Sequence, residues 1–357
     1  MASFRLALFV AAAALSASLI PQPYYYANIC PNLELIIRSS VKQSMAESPI
    51  SAPAALRLFF HDCAVQGCDA SIMIVNSNGD DEWRNPDNQS LKPEGFQVIL
   101  NAKAAVDSDP QCTYKVSCAD IMAIAARKSV SGGPYYDVEL GRYDGRVSTK
   151  ASVVLPHANF TLDQLNAYFS SLGGFTQSEM IALSGKNDRS ATRTPHSPHS
   201  HSACDASRHV AAMSACADHL LLPAAGLCVN PGGHTLGAAD CPFFQYRIGT
   251  DPTMDPNFAA QLKSTCSSNP TSGFAFLDPS PVTFDNAYFK NLQGGKGLLG
   301  SDQVLYSDWR SRGTVDHYAT YQNAFFGDFV AAMTKLGRVG VKTAATGEIR
   351  RDCRFPN

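Results

Sequence analysis

The chain has 357 residues, 45% of them hydrophobic and 17% charged, with a formal net charge of −2 at pH 7. That apolar fraction excludes a disordered chain, and the near-neutral balance gives no reason to expect nucleic acid or an acidic membrane surface as a partner. A chain this long can bury a large core as one domain or two lobes, and its 11 cysteines are many for a reducing cytosol.

In chain order, residues 1–18, MASFRLALFVAAAALSAS, carry one Arg, an apolar run from Leu6 to Leu15 and small residues suited to cleavage near Ala17. The run is too short to span a bilayer. It predicts a secretory signal peptide ahead of a domain over 19–357, no membrane anchor, and an oxidising destination in which cysteines pair. Apolar residues at three- and four-residue spacing then predict helices over 51–62, 118–130, 161–173 and 326–337. Thr161 is the expected N-cap of the third, with Gln164 three residues on. Gly, Pro and Asn clusters such as SNGDDEWRNPDNQ and LDPSPVTFDN separate the helices. Alternating strand patterns are few and short, and no internal repeat is visible. The expectation is an all-α domain, and a monomer is taken as the default state.

One segment breaks the pattern. From Lys186 to about Gly232 the composition turns to Ser, His, Arg, Ala and Pro with weak periodicity. A connection of that length is improbable inside a compact domain.

The densest chemical signal is LRLFFHDCAVQGCDAS, Leu56 to Ser71. Arg57 and His61 are four apart and share one helix face, where a guanidinium and an imidazole can act as charge stabiliser and general base. Asp62, Asp69 and Ser71 follow on a short stretch that Gly67 allows to turn and that Cys63 and Cys68 can pin. Oxygen donors so constrained suit a hard cation such as Ca²⁺. Taken alone, the pair reads better as a structural ion pair at a helix end.

The full string resembles the distal signature of the secretory plant haem peroxidases of class III. That family's other landmarks follow in order: KVSCADIMAIAAR (115–127), GGPYYDVELGRYDGR (132–146), GGHTLGAADC (232–241), FDNAYFKNL (284–292), GLLGSDQ (297–303) and AMTKLGRVGVKTAATGEIRRDC (332–353). The resemblance implies two helical lobes sandwiching haem b, and H₂O₂-dependent one-electron oxidation of small phenolic donors. It makes His61 the base that moves a proton between the peroxide oxygens and Arg57 the stabiliser of the charge that develops as they part. Asn88 would hold His61 basic, and Phe60 would shield the oxidised haem. His234 would be the axial iron ligand, Asp302 its hydrogen-bond acceptor, and Pro156 a wall of the aromatic-donor access.

The same resemblance implies two Ca²⁺ sites. The distal one takes Asp62, Asp69 and Ser71, the carbonyls of Val65 and Gly67, and Glu82 through water. The proximal one takes Thr235, Asp278, Ser280, Thr283 and Asp285, although the run from Asp278 to Asp285 is one residue shorter than the family's. It further implies disulfides Cys30–Cys112, Cys63–Cys68, Cys118–Cys353 and Cys241–Cys266, and a secreted, cell-wall location. Asn88 and Asn159 both sit in glycosylation sequons, and the distal role of Asn88 makes Asn159 the better glycan acceptor.

Three cysteines are left over, Cys204, Cys216 and Cys228, all within 186–232. So are His196, His199, His201, His209 and His219. Deleting 186–232 yields IALSGGHTLGAADC, an unbroken match to the family. Gly185-Lys186 can be encoded with a GTAAG splice donor and Pro231-Gly232 with a CAG acceptor. The segment is therefore expected to be translated intron sequence. The rival expectation is a genuine His/Cys-rich metal-binding insert in a peroxidase-like secreted protein with impaired haem binding.

Overall fold

A computed structural model describes residues 21–130, 133–185, 234, 236–270, 273–281 and 283–357. The expected signal peptide (1–18), the segment 186–232 and Thr235 lie outside the described residues. Among those described there are eleven α-helices, several single 3₁₀ turns and one two-stranded sheet.

The first group is α1 (Leu33–Glu47), α2 (Ser51–Ala64), α3 (Pro93–Ser108) and α4 (Cys118–Ser129), which pack against one another. α2 is apolar on nearly every face, and its residues from Ala54 to Ala64 are buried except Arg57. A helix hydrophobic all round belongs in a core, where each large apolar side chain contributes about 1.5–3 kcal/mol. The expected helices over 51–62 and 118–130 are α2 and α4, their ends displaced by one or two residues. α4 starts where Ser117 caps the Asp120 amide.

The second group begins with α5 (Leu162–Gly173) and α6 (Gln177–Ser184). Thr161 caps α5, and with Gln164 it forms the expected reciprocal pair of bonds. Thr176 and Glu179 do the same for α6. Next come β1 (Ala238–Asp240), α7 (Pro256–Ser268) and β2 (Phe274–Phe276), with β1 and β2 antiparallel and Ala238 opposite Phe276. These three elements surround a small separate core of Cys241, Phe244, Leu262, Cys266 and Leu298. α8 (Ala287–Gln293), α9 (Gly300–Ser307), α10 (Trp309–Thr320) and α11 (Gln322–Leu336) complete the group, with α11 on α6 and α8 on α10. The expected helix over 326–337 is α11. It begins four residues earlier because Phe325 is fully buried and extends the apolar face.

All four implied disulfides are present: Cys30–Cys112, Cys63–Cys68, Cys118–Cys353 and Cys241–Cys266. The last of these sits in the small core. Buried charges join the two groups. Asp120 of α4 pairs with Arg142 at 2.8 Å, and Arg142 donates to the Gly337 carbonyl beyond α11. Asp144 accepts from the first amides of α4 and from the Arg350 amide. Removing one partner of such a buried pair costs about 3–5 kcal/mol. No helix among the described residues is long and apolar enough to cross a membrane.

Candidate active site

The final turns of α2 carry Arg57 and His61. His61 is fully buried, and its Nδ1 lies 2.7 Å from Asn88 Oδ1. The Asn88 amide nitrogen donates to the Glu82 carbonyl at 2.8 Å, which fixes the amide with its oxygen toward the ring. Nδ1 therefore carries the proton and Nε2 the lone pair. Arg57 Nε donates to that Nε2 at 3.2 Å, while its Nη1 and Nη2 donate to the carbonyl and hydroxyl of Ser90. Burial, reinforced by the Arg57 charge, lowers the imidazole pKa to about 3, against a smaller opposing effect of Asn88. His61 is thus a neutral base held beside a cation. Phe60 is buried against Phe169 of α5, with ring centroids 6.0 Å apart.

The second histidine is held by a different device. Asp302, in the first turn of α9, accepts at Oδ1 from the Tyr288 hydroxyl at 2.8 Å and at Oδ2 from the Leu299 amide. His234 Nδ1 reaches the same Oδ1 at 2.5 Å. Since that oxygen already accepts, His234 is the donor, and the tautomer leaves its Nε2 with the lone pair that a metal binds. Burial and the adjacent carboxylate push the Tyr288 phenol well up, so it stays a donor. The backbone amide of His234 donates to the carbonyl of Ser184, the last residue of α6, at 3.2 Å. A histidine of this tautomer, buried with a carboxylate behind it, fits an axial haem ligand by the chemistry of its donor set.

Pro156 is buried in the loop before α5. That loop is pinned to the helix of Asp302, because the Ala158 carbonyl accepts from the Ser301 amide at 2.7 Å. Asn88 is fully buried and Asn159 exposed.

The distal oxygen donors come together beneath His61. Asp62 accepts from the amides of Ala70 and Ile72, Asp69 from the amide of Ser71, and the Ser71 hydroxyl donates to Glu82. Gly67 turns this loop at φ +124, and a Cβ there would meet the backbone of Gly340 at 2.5 Å. Its carbonyl accepts from the Asp69 amide, and Lys342 pairs with Asp69 at 3.3 Å. Burial and then Asp69 push the Asp62 pKa well up; burial and both aspartates push Glu82 to about 9. Carboxylates so crowded are the environment that a hard cation relieves. Among the described residues no three His, Cys, Asp or Glu side chains converge as a metal site.

Of the proximal set, Asp278 is buried and accepts from the amide and hydroxyl of Ser280, the Thr283 amide donates to the Ser280 carbonyl, and Asp285 accepts from the Ala287 amide. Thr235 lies outside the described residues. The sequence reading missed Ser90 and Tyr288. Both lie within or beside strings it quoted, two residues after Asn88 and inside FDNAYFKNL, but neither carries a local signal of its role.

A mainly helical frame holding two buried histidines, one backed by an amide oxygen and one by a carboxylate, has the make-up of a peroxidase. Residues 37–321 match the family profile described as Peroxidase. The chain is 45% identical to Peroxidase 45 of Arabidopsis thaliana over 342 residues, covering 92% of this chain and 90% of the relative. It is 45% identical to Peroxidase 16 of the same plant over 345 residues, covering 93% and 91%, and 41% identical to Peroxidase 51 over 343 residues, covering 92% and 90%. The chain belongs to the peroxidase family, in its class III plant branch. It is an oxidoreductase of the peroxidase type, a family that in general works with haem, calcium, H₂O₂ and donor substrates.

Proposed function

We propose that the mature chain, 19–357 after loss of a signal peptide at 1–18, is a secreted, monomeric cell-wall enzyme that oxidises small phenols with H₂O₂. The observation that carries this reading is the opposed wiring of the two histidines, His61 to Asn88 and Arg57, His234 to Asp302 and Tyr288. Haem b, which His234 would hold, would supply an iron centre able to exchange the two oxidising equivalents of the peroxide for one-electron oxidations of donors.

His61 Nε2 removes the proton from the inner peroxide oxygen and delivers it to the outer oxygen, which leaves as water. Neutral His61 performs this at ordinary pH because its pKa lies near 3. Arg57, braced by Ser90, stabilises the negative charge on the departing oxygen. Asp302 would orient the His234 ring and give it anionic character. Pro156 would flank the donor access, Phe60 would screen the distal face, and Asn159 would carry a glycan. The distal and proximal oxygen sets would each hold a Ca²⁺, with Thr235 included in the second. His61→Ala or Arg57→Ala should slow the reaction with H₂O₂ by about 10²–10⁴-fold, and His234→Ala should impair haem retention. If all three leave guaiacol oxidation intact, the reading is wrong.

Residues 186–232 are, on this reading, translated intron sequence. The bond from His234 N to Ser184 O supports it. With the segment removed, Ser184-Gly185-Gly233-His234 become consecutive, and that bond is the ordinary i to i+3 link of a turn. Sequencing the spliced transcript tests the point, and a mature message encoding 186–232 overturns it. The five histidines and three cysteines of the segment favour one other reading, a zinc-binding, haem-poor relative. A Soret band that shifts with H₂O₂ supports the enzyme, whereas zinc without haem supports the alternative.

A further inference from the structure

Tyr288 lies in α8 and Asp302 in the first turn of α9, and both side chains are buried. The phenol hydroxyl donates to Asp302 Oδ1 at 2.8 Å. His234 Nδ1 donates to that same oxygen at 2.5 Å. Among the described residues the hydroxyl makes no other hydrogen bond, and Oδ2 accepts only from the Leu299 amide, at 3.3 Å.

A carboxylate offers about four lone-pair sites, shared between its two oxygens. A hydroxyl needed merely to satisfy Asp302 would gain most at Oδ2, where the one bond is long. It meets instead the oxygen that holds His234. Each donor draws on the same negative charge, so the phenol weakens the charge-assisted pull of Asp302 on the His234 proton. The phenol is also held there. Its ring meets the His234 ring edge-on, centroids 6.1 Å apart, and the Phe289 ring at 5.2 Å. Packed against both rings and 1% exposed, it does not turn towards solvent.

We propose that Tyr288 is a positioning residue that sets the electron donation of His234, by limiting how far Asp302 draws the Nδ1 proton. The assignment rests on His234 as the axial ligand of a bound haem. The more of that proton Asp302 takes, the more anionic the imidazole becomes, and the better it supports the higher oxidation state of a metal on Nε2. Tyr288 thus keeps the ferric centre easier to reduce than Asp302 and His234 alone would leave it.

The test is the ferric/ferrous equilibrium of the haem-loaded full chain, measured by spectroelectrochemistry. Tyr288→Phe keeps the ring and removes the donor. It should shift the equilibrium tenfold or more towards ferric, a potential lower by about 59 mV for one electron. In Asp302→Asn at saturating haem, adding Tyr288→Phe should give no such shift, because the effect passes through the carboxylate. An equal shift with and without Asp302 overturns the proposal. So does an unchanged potential, even with a lowered melting temperature, since that marks a structural hydroxyl. If Tyr288→Phe does not fold, wild type decides by NMR of its diamagnetic ferrous carbonyl form. In mixed H₂O and D₂O the His234 Nδ1 proton signal should split, because the isotope on the hydroxyl alters its share of Oδ1; a single line overturns the proposal. A wild-type chain without a Soret band overturns the axial reading and this inference with it, whereas haem uptake without the shift overturns this inference alone.

Discussion

His61 stands in the last turn of a buried 14-residue helix, and the groups that tune it, Arg57, Asn88 and Ser90, come from one stretch of chain. His234 is gripped by Ser184, Tyr288 and Asp302, the last of them 68 residues away. The distal half is a local device clamped by Cys63–Cys68, whereas the proximal half exists only once α6, α8 and α9 have packed. Damage to the first should therefore strike chemistry, and damage to the second should strike chemistry and stability together.

The sharpest way to break that contrast is Asn88→Leu. Without the Asn88 oxygen, His61 Nδ1 loses its acceptor and the Nε2 lone pair loses its fixed direction. The expected result is a fall of about 10²-fold or more in the rate with H₂O₂, measured by stopped flow, with haem content unaltered. Loss of haem as the main effect would mean that the two halves are not separable.

Asp302→Asn comes next. It should weaken haem retention about 10–100-fold and also lower the melting temperature, because Tyr288 and the Leu299 amide share the same carboxylate. A rate defect with normal haem affinity and melting would place the proximal device on the same footing as the distal one.

A third test is calcium removal. In cation-free protein the folded-state pKa of Glu82 is raised from 4.5 to about 9, through burial and the charges of Asp62 and Asp69. Between those values the unfolded chain is ionised while the folded site holds its proton, so stability falls as pH climbs from about 4.5 towards 9. Melting curves with EGTA should show this slope and curves with Ca²⁺ should not. Parallel curves would remove calcium from the distal set.

The same contrast explains what could be read in the sequence. The Arg57–His61 spacing, the donors from Asp62 to Ser71 and the Thr161–Gln164 cap lie within a few turns of one another, so their order along the chain already places them in space. Ser90 and Tyr288 act through contacts set by packing, and nothing in their neighbouring residues marks them. β1 and β2 were missed because three residues each are too few for an alternating pattern, and they pair only where the Cys241–Cys266 core brings them together.

Of the four disulfides among the described residues, only Cys118–Cys353 spans the interval between Ser184 and His234; Cys30–Cys112 and Cys63–Cys68 close before it and Cys241–Cys266 after it. A protease cut anywhere in that interval would give two polypeptides that still migrate as one species until a reductant is added. The fragment carrying His61 and the fragment carrying His234 would remain tethered through Cys118–Cys353, so the nicked molecule could re-form its site at an effective concentration no bimolecular mixture reaches.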